Sequence, residues 1–276
     1  VTLAQMPTLS AIAIYPIKSC RGIALTEAKV ERRGIAHDRR FMVVDAQGQF
    51  ITQREEPRMA LVDVAIAVDV LRVSAEGGGS AEAALEPEGG AKRGVRVWRS
   101  SVEAEEVPSL SAFFTSFLKR DVHVVFMPQS TQREVNPNYA EAGDHVSFAD
   151  GYPLLLASDA SRTDLEARAG FSLSMKRFRP NLVVQGIAPW AEDAWSHVHV
   201  GGLTFRAPKP CARCVMTTID PETALGGKEP LKTLAAFRKQ AGEVMFGVNL
   251  LPDSEGVLKV GMSMSFTERQ LPEGSF

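Results

Sequence analysis

Two cysteines three positions apart, Cys211 and Cys214, stand in the run Pro208-Lys209-Pro210-Cys211-Ala212-Arg213-Cys214 beside two cationic side chains. Cations favour thiolate over thiol, and a thiolate is what a metal ligand or a nucleophile requires. Several readings compete for this spacing. The plainest is a pair of small buried side chains, since free cysteine is often core material. Half of a zinc site is another, with further ligands from Cys20 and five histidines, of which only His197 and His199 are paired, on one face of a strand. A redox dithiol needs the pair at a helix start, whereas Val215-Met216-Thr217-Thr218 reads as β-branched strand. A single soft thiolate also suits a thiophilic metal whose other ligands belong to a cofactor.

Other signatures of chemistry are missing. No Gly-x-Gly-x-x-Gly opens a helix, and where Lys228 follows two glycines, Glu229 fills the hydroxyl position of a phosphate loop. There is no His-Glu-x-x-His and no Gly-x-Ser-x-Gly. His37 and His145 are single histidines, more often structural than catalytic, and stay outside the catalytic set.

The elements that must position these residues read as mainly β with some helices, an α+β chain of two β-barrel-like domains over residues 1–125 and 126–276. Short β-rich runs cover 10–15, 23–30, 40–45, 50–52 and 60–71, then 95–98 and 122–127. Residues 74–94, rich in Gly, Ala, Glu and Ser, read as a mobile loop too poor in large apolar groups to pack. Apolar side chains recur at helical spacing over 108–119 behind Pro108. A long crossing loop spans 128–144; a second helix, capped by Ser158 and stopped by Gly170, runs to about 169. Strands are expected at 181–184, 197–200, 203–206, 215–219, 246–250 and 257–260, with a helix over 230–239. Met262-Ser263-Met264 reads as a core strand, Trp98, Trp190 and Trp195 as packing for the barrels, and Asp220-Pro221-Glu222-Thr223 as a turn near the site.

Composition sets the outer limits. Of 276 residues 45% are hydrophobic and 23% charged, an ordinary globular balance. Lys+Arg 31 against Asp+Glu 33 leaves a net charge of -2, which offers no broad basic field for nucleic acid or an anionic membrane, so any anion site must be local. Three cysteines are too few for a secreted disulfide framework. With no signal peptide or membrane anchor legible, the reading is a reducing, cytoplasmic location.

The runs Tyr15-Pro16-Ile17-Lys18-Ser19-Cys20-Arg21-Gly22, Asp38-Arg39-Arg40-Phe41, Gln53-Arg54-Glu55-Glu56-Pro57-Arg58, Phe178-Arg179-Pro180-Asn181 and Cys211-Ala212-Arg213-Cys214 occur in an order that resembles MOSC proteins. The likeness is to an N-terminal MOSC β-barrel followed by the MOSC domain proper, as in the mitochondrial amidoxime-reducing component and its bacterial relatives. The resemblance implies a molybdenum cofactor, Mo-molybdopterin, with Cys214 as metal ligand and catalytic residue and Cys211 as a neighbour. It implies cofactor contacts from Lys18, Ser19, Arg39, Arg179, Asn181, Ala212 and Arg213 as well as Cys214. Guanidinium forks and a lysine suit a pterin phosphate carrying about two negative charges. The implied reaction is reduction of N-hydroxylated compounds (amidoximes, hydroxylamines and N-hydroxylated bases). Three cysteines do not make a four-thiolate cluster, so electrons are expected from an external ferredoxin- or flavin-type protein. The other implied role is a cofactor carrier or sulfur-handling module without substrate turnover. This chain has Gly151-Tyr152-Pro153 where the mitochondrial relatives carry Thr-Ser before proline, and Asn249 where they have tyrosine; both bear on substrate choice.

Overall fold

The computed structural model describes residues 6–269, and these form twenty strands, three α-helices and short 3-10 turns. The longest strand, Glu243–Pro252, is buried from Met245 onward, as an apolar run covered on both faces must be. It pairs antiparallel with Leu154–Ser158, Leu203–Arg206 and Pro210–Arg213, and so sits at the centre of the main sheet. Beyond Leu154–Ser158 lie Leu182–Gln185, Thr8–Ile14 and Ile23–Leu25; beyond Leu203–Arg206 lie Trp195–Val200 and Met264–Glu268. The sheet curls until its two ends meet in a bridge between Thr8 and Ser263. Leu9, Ile12, Leu156, Phe205, Val248 and Leu250 fill the interior of the curl.

Leu154–Ser158 and Leu182–Gln185 run parallel, so a crossover must join them, and the second of the chain's helices, α2 (α1 being Pro108–Leu118), spans Asp159–Ala169 within that crossover. Ser158 Oγ accepts from Ser161 N at 3.3 Å and Gly170 at φ 79 ends the helix, both as the sequence indicates. The crossover returns through Phe178-Arg179-Pro180-Asn181 into the next strand.

The first half also forms a sheet of Phe41–Val44, His123–Phe126, Ser100–Glu106 and Lys92–Val97, and a meander of Asp63–Ala67, Val70–Ala75 and Gly79–Ala84. A helix over Pro108–Leu118 buries Leu110, Phe113, Phe114, Phe117 and Leu118 between them. The mainly β reading therefore holds, but the expected pair of barrels takes the form of one curled sheet and separate smaller sheets.

Three further expectations need correction. Residues 74–94 are not a mobile loop. Gly79–Ala84 pairs with Val70–Ala75 along its length, Leu85 is buried, and the small side chains of Ala81 and Ala83 let the phenylalanine-rich helix lie close. A Cβ at Gly78 would stand 2.8 Å from the Phe117 ring, so lack of bulk is the packing device here. Residues 215–219 are not a strand but a 3-10 turn, Val215–Thr218, because the threonine hydroxyls turn back onto carbonyls three residues earlier: Thr217 Oγ1 to Cys214 O at 3.0 Å, Thr218 Oγ1 to Val215 O at 2.8 Å. Trp98 does not pack a barrel; it is 46% exposed.

One buried acid lies away from the cleft. Glu192, in the turn Ala191–Ala194, is fully buried against helix α2, where Oε2 accepts from Ser161 Oγ at 2.9 Å. Burial pushes its carboxyl up to about 7. The folded state thus prefers the neutral acid: this stabilisation is complete below the usual carboxylate value and is lost as pH rises through about 7. The unfolding free energy of the wild type, read from urea titrations, should fall between about pH 4 and 7 by on the order of 3 kcal/mol, and Glu192→Gln should remove that slope.

Candidate active site

Lys18, Ser19, Arg39, Arg179, Asn181, Ala212, Arg213 and Cys214 all line one open cleft at one end of the curled sheet. They arrive from different elements. Lys18 and Ser19 follow Thr8–Ile14, Arg39 precedes Phe41–Val44, and Arg179 and Asn181 end the crossover before Leu182–Gln185. Ala212 and Arg213 lie in Pro210–Arg213, with Cys214 just past it.

Ser19, Arg39 and Arg179 share a backbone feature: their φ angles are 70, 48 and 55, in the left-handed region that ordinary side chains avoid. Such residues persist only where surroundings hold them. Here the clamp is explicit. The guanidinium carbons of Arg39 and Arg179 lie 4.3 and 4.1 Å from the centre of the Tyr15 ring. Asp38, buried beneath, takes Tyr15 N at 2.7 Å and Arg39 Nη1 at 2.5 Å. Arg39 also donates to Asn181 Oδ1 at 2.9 Å and to Arg179 O at 3.2 Å, and Asn181 is held by Leu155 N and Ala13 O, so what Asn181 visibly does is aim Arg39. Burial pushes Arg179 down to about 10, which leaves it charged at neutral pH.

On the opposite wall Lys18 Nζ donates to Phe148 O at 2.7 Å and meets Asp150 Oδ1 at 2.5 Å. Burial lowers Lys18, partly offset by Asp150. Burial also works to raise Asp150, but the Lys18 ammonium outweighs it and holds the carboxyl well below the usual range. The Asp150 side chain is 55% exposed to the cleft, so solvent screens part of this pairing and its contribution to stability is modest.

The thiol segment is aimed by a bulge. Pro210 pairs with Val248 but Ala212 pairs with Met245, so the long strand carries one extra residue opposite Cys211. Gly247, at φ 75, takes up that residue, and a Cβ there would lie 2.6 Å from Leu156 O. Arg213 then donates Nη1 to Cys211 Sγ at 3.1 Å and Nη2 to Phe178 O at 2.7 Å. Cys214 is exposed and unpaired by disulfide.

Whether this cleft suits an anionic cofactor with a thiolate-held metal can be judged from its unused donors. Ser19 Oγ, Arg179 Nη2 and Arg213 Nε are buried without a hydrogen-bond partner. Groups of this kind cost about 1–3 kcal/mol each when nothing accepts from them, more when charged. Five lining side chains, Lys18, Arg39, Arg177, Arg179 and Arg213, are cationic against one carboxylate, Asp150. An anion with several oxygens fits that deficit. Among the described residues no cluster of three or more His, Cys, Asp or Glu is gathered as a metal site, so the four-ligand zinc arrangement is not assembled there, and a metal at Cys214 would need its remaining ligands from elsewhere.

Sequence reasoning missed four neighbours: Asp150, Arg177, Arg54 and Trp98. Arg54 stands in the run Gln53-Arg54-Glu55-Glu56-Pro57-Arg58, and its Nη1 reaches Cys214 Sγ at 3.8 Å. Nothing local marks Asp150, whose partner Lys18 is 132 positions away. Arg177 lines the cleft and donates to Asp220 Oδ2 at 2.6 Å, which ties the predicted turn at 220–223 to the site.

The curled β-sheet gathers cations around a cysteine at its open end, and comparison with known families gives this fold a name. Residues 6–121 match the model of the MOSC N-terminal beta barrel domain and residues 143–265 that of the MOSC domain; the chain belongs to the MOSC family. It is 31% identical to mitochondrial amidoxime-reducing component 1 of Homo sapiens, over 94% of this chain and 82% of that one. The component 1 of Mus musculus is 32% identical over 94% and 82%, and component 2 of Rattus norvegicus 31% over 94% and 83%. Among solved structures, the YUAD protein from Bacillus subtilis aligns with TM-score 0.47 and 10% identity over 96% of this chain and 98% of that one. No described helix is long and apolar enough to cross a membrane.

Because the bulge at Gly247 leaves no room for a side chain, Gly247→Ala should lower the unfolding free energy by about 1–3 kcal/mol, read from the urea midpoint at unchanged slope.

Proposed function

We propose that this chain is a molybdenum-cofactor-dependent oxidoreductase that reduces N-hydroxylated compounds. The observation that carries the reading is the conjunction of buried, unpartnered donors on Ser19, Arg179 and Arg213 with the exposed sulfur of Cys214 in one cleft. The amidoxime-reducing names of its relatives support the choice of substrate class.

In this reading Arg39, Arg179, Arg213, Lys18 and Ser19 hold the phosphate and pterin end, and Cys214 supplies the protein's ligand to the metal. Bound there, the cofactor supplies two-electron reduction: an N–OH group, two electrons and two protons give N–H and water. The electrons come from an external ferredoxin- or flavin-type protein, since the chain's cysteines do not make a cluster. Asn181 and Asp38 orient Arg39, and Tyr15 keeps the two guanidinium groups spaced. Asp150 partly neutralises Lys18, which limits the net positive charge and makes the site selective for an anion that also satisfies the arginines.

Protein expressed with molybdate should contain near-stoichiometric molybdenum and pterin by elemental analysis and oxidised-pterin fluorescence. Arg179→Ala should reduce both by roughly tenfold or more through loss of a charge-assisted contact. Cys214→Ala should lose the metal and the reduction of a hydroxylamine driven by an artificial reductant. Full reductase activity with bound metal in Cys214→Ser would overturn the reading.

A further inference from the structure

Two side chains meet beside Cys214 from elements that the cofactor contacts do not use. Arg54 is held at its base by Thr52 Oγ1, which accepts from its backbone N at 3.2 Å and its Nε at 3.3 Å. Its guanidinium carbon lies 4.6 Å from the centre of the Trp98 ring, Nη1 touches Cys214 Sγ at 3.8 Å, and Nη2 is buried without a partner. Trp98 opens the two-residue turn between Lys92–Val97 and Ser100–Glu106, at φ 55. That position ordinarily takes Gly or Asn, so a tryptophan there accepts a steric cost that smaller residues avoid. Its indole is not spent on packing: it is 46% exposed, braced by Phe50 at 5.2 Å and by Nε1 donating to Asp150 Oδ1 at 3.1 Å. Asp150 lines the cleft, so the indole is fixed at its mouth.

An exposed, rigidly braced aromatic plate with a guanidinium across it and one unsatisfied N–H has a definite preference. It favours flat, conjugated molecules that also present an oxygen, because stacking and a charge-assisted hydrogen bond are gained together. Small aliphatic molecules gain only the second. We infer that Arg54 and Trp98 form the specificity-determining wall of the site and select planar, conjugated N-hydroxylated substrates, an aryl amidoxime being the simplest, over aliphatic ones. The inference rests on the proposed reductase reading for its choice of substrate and goes beyond it in assigning selectivity to residues outside the cofactor contacts.

The test uses benzamidoxime and acetamidoxime, which differ in the conjugated ring. In the metal-loaded protein the ratio of kcat/KM for benzamidoxime over acetamidoxime should fall roughly five- to tenfold in Trp98→Ala, mainly through KM, and be retained in Trp98→Phe. Separately, benzamidoxime should quench tryptophan fluorescence of the wild type saturably and not that of Trp98→Phe, which keeps Trp190 and Trp195 as unaffected emitters. Arg54→Lys, which keeps the charge but loses the planar fork, should weaken that titration several-fold. An unchanged ratio in Trp98→Ala, or quenching that persists in Trp98→Phe, overturns the assignment. If the wild type turns over neither compound the reductase reading fails, while the quenching still decides whether the plate binds a conjugated amidoxime.

Discussion

Charge taken out of water without enough acceptors to meet it is the constraint on which the cleft depends. The cost of removing an ion from water is several kcal/mol even after relaxation, and it is offset only by close partners. Arg179 has the Tyr15 ring and the carbonyl of Cys20 but leaves one nitrogen unmet, and Arg213 leaves another. Asp38 settles the account for Arg39. The fold therefore carries a standing deficit of negative charge at one end of its sheet, while the chain as a whole is slightly acidic. Left-handed backbone at Ser19, Arg39 and Arg179 adds local strain to that deficit. The proposed affinity for an anion would be the other side of that deficit.

Two features of the sheet deliver the groups that create this condition. The parallel pair Leu154–Ser158 and Leu182–Gln185 requires a crossover, and the crossover's return places Arg179 and Asn181 at the sheet's open end. The bulge opposite Cys211 adds a residue to the central strand and turns the segment through Arg213 toward the same place. The hairpin that carries Trp98 to the rim packs through Val95 and Val97 in one core with Val44, Phe50 and Val125, while Ile51 and Met59, on either side of Arg54, pack in the core of the phenylalanine-rich helix. Rigid elements thus stand behind each polar side chain, which is what keeps unpaired donors from collapsing onto one another.

The parts of this that were legible in the sequence are those with local causes. Helix α2 announced itself through Ser158 and Gly170, and the helix of Pro108–Leu118 through its apolar stripe. The eight site positions could be named because short runs carried them, although their meeting in one cleft could not be read from spacing. The misses share a cause in tertiary context. Ala81 and Ala83 looked too small to pack because the bulky partner lies on a helix some thirty residues on. Val215–Thr218 looked like strand because β-branching dominates that reading, whereas hydroxyl bonds to nearby carbonyls decided the turn. Trp98 looked like core because tryptophan usually is, and only the hairpin's geometry turns it outward.

The closure of the main sheet has a consequence for how the molecule is made. Thr8–Ile14 finds its neighbour Leu182–Gln185 only across a wide gap, 177 residues between Thr8 and Gln185, and Thr8 meets Ser263 later still. At translation speeds of roughly 5–20 residues per second, the first strand waits about 10–35 seconds for its partner to leave the ribosome. During that interval its apolar face and open hydrogen-bonding edge have no native cover, and late non-local pairing of this kind is intrinsically slow. Yield from a growing cell should then be governed by how well nascent chains are shielded during that wait, before the stability of the finished fold comes into play.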